Sequence, residues 1–285
     1  MRGLIARTAT GLLALGALAT APAASAEERL AVAGGCATEI VFALGAGDRI
    51  VGVDTTSNWP PAARDLPRFG YLRTLPVEGI LALKPDRLLT TAEAGPQSSI
   101  ERLSKAMPVD VLPVMHNPRE LPEQVRRVAQ QLGLEERGET LAAELEARLA
   151  SIPAEFADEP APEVLLLLAP GGERLMAGGT GTSADALLQS LGLRNAARGM
   201  DSFKPLSREA LLQSEADLIV IAETAPGAFR AGDWPALART PAGRAGRVLV
   251  RDSMYLLGFG PRVVEAMAEL RAAATNPEFA AWKRD

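Results

Sequence analysis

Short apolar runs rich in β-branched residues recur along the chain: Leu30–Ala33, Ile50–Val53, Arg87–Thr91, Val109–Val114, Val164–Ala169, Leu218–Ala222 and Val248–Arg251. Between them the apolar positions take helical spacing, over Thr38–Leu44, Val77–Leu83, Ser98–Ala106, Ser183–Leu191 and Arg208–Gln213. Strands that alternate with helices predict an α/β fold with mostly parallel sheets flanked by helices.

The pattern also repeats. Pro76 to Asp86 and Ser207 to Asp217 each read as a short helix leading into a strand. Glu78 aligns with Glu209 and Asp86 with Asp217 at one offset, 131 positions (209 − 78 and 217 − 86). Gly34-Gly35 and Gly178-Gly179 each open a segment ending in Leu-Gly, and one short gap brings Tyr71 opposite Phe203. Matches in the same order predict two similar lobes. Between them, Leu121-Pro122-Glu123 reads as a helix start and Gly133 as an interruption. From Glu135 on, Leu141, Leu145 and Leu149 form one apolar stripe. A helix of about 16 residues spans about 24 Å, enough to join two lobes and to limit their relative movement. The prolines and acids of Ser151 to Pro162 then read as a linker. The expected organisation is a signal peptide over 1–26, an N-terminal lobe over 27–134, an interdomain helix over 135–152 and a C-terminal lobe over 153–285.

The leader rests on two arginines in Met1 to Arg7, an apolar run over Thr8 to Pro22, and Ala24-Ser25-Ala26 as a small-residue cleavage site. It predicts export, with a soluble mature chain. Leu30 to Ala33 reads better as a first strand than as the approach to an acylated Cys36, so no lipid anchor is expected. One cysteine allows neither an internal disulfide nor a thiolate cluster, and one histidine, His116, argues against a bare zinc or manganese site. A net charge of −5 argues against nucleic acid and anionic membranes as partners.

Candidate chemistry concentrates in Phe69-Gly70-Tyr71-Leu72-Arg73-Thr74-Leu75, which holds one of two tyrosines. In an extended segment Tyr71 and Arg73 point to the same side. A neighbouring guanidinium favours a phenolate, and phenolate is a hard oxygen donor suited to ferric iron. The alternative is a packed tyrosine with a satisfied hydroxyl.

Taken together, Gly34-Gly35 with Thr38-Glu39-Ile40, Val53-Asp54-Thr55-Thr56-Ser57, Gly70-Tyr71-Leu72-Arg73, Glu78 to Asp86 and Leu256-Leu257-Gly258-Phe259-Gly260-Pro261-Arg262 resemble the haem-binding periplasmic proteins of bacterial haem-uptake ABC transporters. These belong to the helical-backbone (class III) substrate-binding proteins. The resemblance covers the whole mature chain. It implies a ligand cleft between the lobes, haem b (hemin) as the transported ligand, periplasmic location, a monomeric chain and no enzymatic activity. It implies Tyr71 as the axial iron ligand with Arg73 as its partner. Thr55, Thr56 and Ser57 would bond the haem propionates, Trp59 would pack on the porphyrin, and Ala94-Gly95-Pro96, Phe203 and Phe259 would form further walls. Glu78 and Glu209 would dock on an inner-membrane permease dimer that works with its ATPase. The bland account of both glutamates is a favourable helix N-terminal position.

Departures from the family pattern are Cys36, where serine is common, and Phe203, where tyrosine is frequent. Cys36 reads as a small buried hydrophobe. No histidine lies in the second lobe, so a histidine ligand from that lobe is excluded, and five-coordinate iron and sixfold coordination by another group both stay open. A ferric siderophore or cobalamin is the alternative cargo. An exported hydrolase is the third reading, but His116 has no Gly-x-Ser-x-Gly partner and resembles an ordinary loop histidine.

Overall fold

The computed structural model describes residues 28–156, 160–171, 174–276 and 278–279; the expected signal peptide lies outside them. The first lobe runs β1 (Leu30–Val32), α1 (Gly35–Ala43), β2 (Ile50–Val53), α2 (Val77–Ala82), β3 (Arg87–Thr91), α3 (Gln97–Ser104) and β4 (Val109–Leu112). Its four strands pair in parallel in the order β2-β1-β3-β4. β1 is wholly buried in the middle, which is why Leu30 to Ala33 carries no polar residue.

A helical hairpin follows, α4 (Leu121–Leu132) and α5 (Glu135–Ala150). The chain reverses at Gly133, which caps α4 in the left-handed region at φ 67°. α5 has the expected length, but its buried stripe is Gly138, Ala142, Leu145 and Leu149, and Leu141 is only partly covered. At Gly138 the two helices pack so closely that a Cβ would lie 2.2 Å from that of Ala129. The lobes are therefore joined by two packed helices: α4 packs on α1 and β4, and Arg148 of α5 pairs with Glu265 at 2.8 Å.

The second lobe runs β5 (Glu163–Ala169), β6 (Met176–Gly178), α6 (Ser183–Ser190), β7 (Arg194–Asn195), β8 (Phe203–Pro205), α7 (Arg208–Leu212), β9 (Leu218–Glu223), α8 (Pro241–Arg244), β10 (Val248–Asp252), α9 (Ser253–Leu257) and α10 (Val263–Thr275). Its sheet order is β10-β9-β5-β6-β8. β10, β9 and β5 pair in parallel, β7 pairs in parallel with β5 off that path, and β6 alone runs the opposite way, antiparallel to both β5 and β8, so this sheet is mixed.

The internal repeat is visible in hydrogen bonds. The Asp86 carboxylate accepts from the Arg29 amide at the start of β1, and the Asp86 amide donates to the Arg29 carbonyl. Asp217 makes the same two bonds to Glu163 at the start of β5. Each aspartate thus fixes where its lobe's central strand begins. One apolar core runs from Leu30 and Ile40 through Leu145 and Leu149 into Val164, Leu188, Val220 and Met267, uniting both lobes with the hairpin, and each lobe has a further core on the other face of its sheet.

Candidate functional site

The loop after β2 is organised by Asp54, fully buried. Its carboxylate accepts from the amides of Gly34 (2.9 Å) and Thr56 (3.0 Å) and from the hydroxyls of Thr56 and Ser57. These donors compensate the burial of a carboxylate. Because the Ser57 hydroxyl gives its proton to Asp54, Thr38 must donate to Ser57 across their 2.8 Å contact. The three hydroxyls therefore separate. Ser57 is wholly buried and presents no surface to a ligand, Thr56 is tied to Asp54 and to the Gly35 amide, and Thr55 alone is exposed. Trp59, 38% exposed, carries the Arg262 guanidinium over its ring at 4.6 Å, so one face is already covered.

The Tyr71 loop is held at its roots. Phe69, Leu72 and Leu75 are buried, and the Gly70 carbonyl accepts from Thr55. Gly70 sits at φ 121°, which strains any other residue, and a Cβ there would lie 3.3 Å from Pro76. Tyr71 itself is 43% exposed. The segment is not extended through Arg73, as the sequence pattern implies. After Tyr71 the chain enters a 3₁₀ turn over Leu72–Thr74, closed by Thr74 N–H to the Tyr71 carbonyl, so Arg73 leaves in another direction. Its guanidinium pairs with Glu93 at 2.5 Å. Gly95 supports the same turn from behind, donating to the Leu72 carbonyl and accepting from Leu75. The Ala94-Gly95-Pro96 segment thus braces the Tyr71 loop.

A cavity of about 640 Å³, within the range of ligand sites (about 300–1,000 Å³), separates the lobes. Arg73, Glu93, Cys36 and His116 line it from the first lobe; Phe203, Phe259 and the α6 residues Asp185 and Gln189 line it from the second. Tyr71, Thr55, Trp59 and the Ala94–Pro96 segment are not among its lining. His116, an ordinary loop residue by its neighbours, is exposed in this wall, with its amide donating to Glu120. Gln189 donates to Asp185 at 2.8 Å, and Asn195 holds the other carboxylate oxygen at 2.9 Å. An Asp and a Gln four residues apart on an amphipathic helix carry no sequence signal that separates a cleft wall from a solvent face.

At the base of the cleft the Cys36 thiol donates to the Phe259 carbonyl at 3.4 Å. Burial, reinforced by the Glu39 charge, pushes this thiol far above its ordinary range, so it stays protonated and behaves as a small hydrophobe. Tyr255, the second tyrosine, is half-buried, and burial together with Glu269 pushes its phenol up to about 12. Its phenolate form is disfavoured there. Glu78 and Glu209 lie away from the cavity in the first turns of α2 and α7, both exposed, with Glu78 paired to Arg102 at 2.5 Å.

The family described as periplasmic binding protein matches residues 30–255. Among solved structures, the periplasmic heme-binding protein RhuT from Roseiflexus sp. RS-1, in apo form, is 34% identical, with a TM-score of 0.81, over 89% of this chain and 100% of that one. BhuT in complex with two hemes is also 34% identical, with a TM-score of 0.78 over the same shares. A periplasmic heme-binding protein from Pseudomonas aeruginosa is 38% identical, with a TM-score of 0.77 over 87% of this chain and 92% of that one. A vitamin B12-binding protein of Pectobacterium carotovorum is 38% identical over only 68 residues, 24% of this chain, and the match spans about a quarter (25%) of that relative's length.

Proposed function

We propose, from the premise that this chain belongs to the periplasmic binding protein family, that it captures haem and delivers it to an inner-membrane ABC permease dimer with its ATPase. Tyr71 supplies a phenolate to ferric iron, and Arg73, which lines the cavity, becomes its cationic partner once released from Glu93. The observation that carries this reading is the Tyr71 loop. Buried flanking residues, a strained glycine and the Gly95 brace hold one phenol out in solvent. Trp59 and Tyr71 are the exposed aromatic side chains among the described large hydrophobics, and both loops are joined by the Thr55–Gly70 hydrogen bond. Exposed flat, apolar rings beside a cleft suit a flat, apolar ligand. Thr55, the exposed hydroxyl of the three, would bond a propionate, and Phe203 and Phe259 would supply apolar wall from the second lobe. The structural relatives named above bind haem, which supports the choice over cobalamin.

Delivery would use Glu78 and Glu209 as paired anionic contacts on the two lobes, steering the protein onto cationic permease surfaces. The role is capture and release, with no chemical conversion of the ligand, in the periplasm and as a monomer. Titration of the purified mature protein with hemin, followed by its Soret band and an iron assay, tests the reading. A tyrosinate-type spectrum at defined stoichiometry is expected. A flat titration beside tight binding of cobalamin or a ferric siderophore overturns it, and His116-dependent ester hydrolysis would favour an enzyme instead. The Glu78→Ala/Glu209→Ala variant should keep hemin binding and transfer haem poorly, most visibly at low ionic strength.

A further inference from the structure

The glutamates of α2 and α7 have a companion on each helix. Each helix buries one residue at the same repeat position, Ile80 and Leu211, and leaves the next one out, Leu81 and Leu212. These leucines are 39% and 36% exposed and lie 131 positions apart, the offset that relates Glu78 to Glu209. Each stands three residues beyond its glutamate, so carboxylate and leucine share one helical face. The other exposed large hydrophobics among the described residues are Trp59, Tyr71, Val111 and Val114, of which Val114 lines the cavity.

A single exposed leucine is ordinary on any protein surface. Two at one position of a repeat are different when the repeat is matched in atomic detail, with Asp86 and Asp217 making identical pairs of hydrogen bonds. The duplicated feature is a compound one, a carboxylate beside an apolar side chain, offered once by each lobe, with Glu78 also held by Arg102. A partner that uses both copies alike must itself present two like surfaces, each with a cation next to an apolar socket. That requirement describes a two-fold symmetric protein dimer.

We infer that Leu81 and Leu212 are the apolar anchors of two matched docking points, through which the chain seats on the two subunits of a symmetric membrane permease. The inference rests on the delivery role proposed above. The two halves of each point do different work. Glu78 and Glu209 act at a distance and are screened by salt, whereas the leucines act only after water is expelled and keep their contribution in salt.

The test uses the whole mature protein and the permease–ATPase complex that imports hemin with it, held in nanodiscs. Affinity for Leu81→Ser, Leu212→Ser and the double variant is measured at low salt and at about 1 M salt, where the Debye length falls to about 3 Å. The double variant should bind on the order of tenfold more weakly in both conditions, with each single variant giving a comparable part of the loss. Glu78→Ala/Glu209→Ala should instead lose affinity at low salt and match wild type at high salt. Unchanged melting temperatures are expected, because both leucines lie at the surface. Wild-type affinity of the leucine double variant at high salt overturns the inference, as does a loss confined to one lobe. A hemin titration of the same samples reads the capture role separately. Ligand-free protein that binds the permease independently of both leucines overturns the anchors whatever the Soret band shows.

Discussion

Glu39 of α1 and Arg262, 223 positions later, form a bidentate ion pair across the two lobes, with contacts of 2.6 and 3.1 Å. Glu39 is 5% exposed, and Arg262 lies between it, Asp252 at 3.8 Å and the rings of Trp59 and Tyr255. Burial raises the Glu39 carboxyl above its usual range, and the guanidinium only partly opposes this. The folded state therefore binds a proton at Glu39 more tightly than the unfolded chain does. This group's contribution to stability is greatest below the ordinary carboxylate range and falls as pH rises through the raised value.

Removing the arginine leaves a buried carboxylate without its counter-charge. Arg262→Ala should cost about 3 kcal/mol near neutral pH. The variant's loss should shrink on acidification, because Glu39 then takes up a proton, and its stability should keep falling with pH to a higher limit than wild type. Urea unfolding at pH 5 and pH 7.5 measures both effects. Adding Glu39→Gln should recover much of the loss, and equal losses at the two pH values would show that the charge is not the cause.

Tyr71→Phe should abolish most hemin binding and leave stability within about 0.5 kcal/mol, since the side chain is exposed and outside the core. Tyr255→Phe should leave the hemin spectrum unchanged. Absorbance titrations of the two variants against wild type decide between the tyrosines, and an unchanged spectrum for Tyr71→Phe would remove it as the ligand.

Arg73 and Glu93 are both about half exposed, so breaking their pair should alter stability by less than about 1 kcal/mol. Arg73→Ala should raise the pH at which hemin binds strongly, because the phenolate form is then less favoured. Glu93→Gln should act in the opposite direction by freeing the guanidinium. Superimposable pH profiles for all three proteins would exclude Arg73 from the site.

The hydroxyls after Asp54 should divide by function. Ser57→Ala removes a donor to Asp54 and the acceptor of Thr38, and should cost about 1–3 kcal/mol without changing the hemin spectrum. Thr55→Ala should weaken hemin binding severalfold and hardly change stability. Urea midpoints and hemin titrations of the pair measure the division.

Much of the scaffold was legible before the fold. β2 and β3 begin and end where the apolar and β-branched runs do, because such residues suit the pleated, covered surface of a strand and its limits show as composition. The repeat was legible because Glu78, Asp86, Glu209 and Asp217 keep one spacing. The site was less so. Alternation places Tyr71 and Arg73 on one side, but the Gly95 backbone draws Leu72 into a 3₁₀ turn, a tertiary contact that local pattern does not encode. Thr55, Thr56 and Ser57 look alike in sequence, and only the position of Asp54 sends one outward and another inside. His116, Asp185 and Gln189 reach the cavity through the way the hairpin seats the lobes together, which no motif records.

The unbroken core from the first sheet through the hairpin into the second bears on how a cargo is kept and surrendered. Wide separation of the lobes would expose apolar surface to water, so a gaping conformer is scarce in the free protein. An entering ligand then loses little affinity to an unproductive population, and its residence time is set chiefly by its own contacts. Surrender needs free energy from elsewhere: a partner that binds the opened form more tightly than the closed one, by at least the cost of exposing that seam.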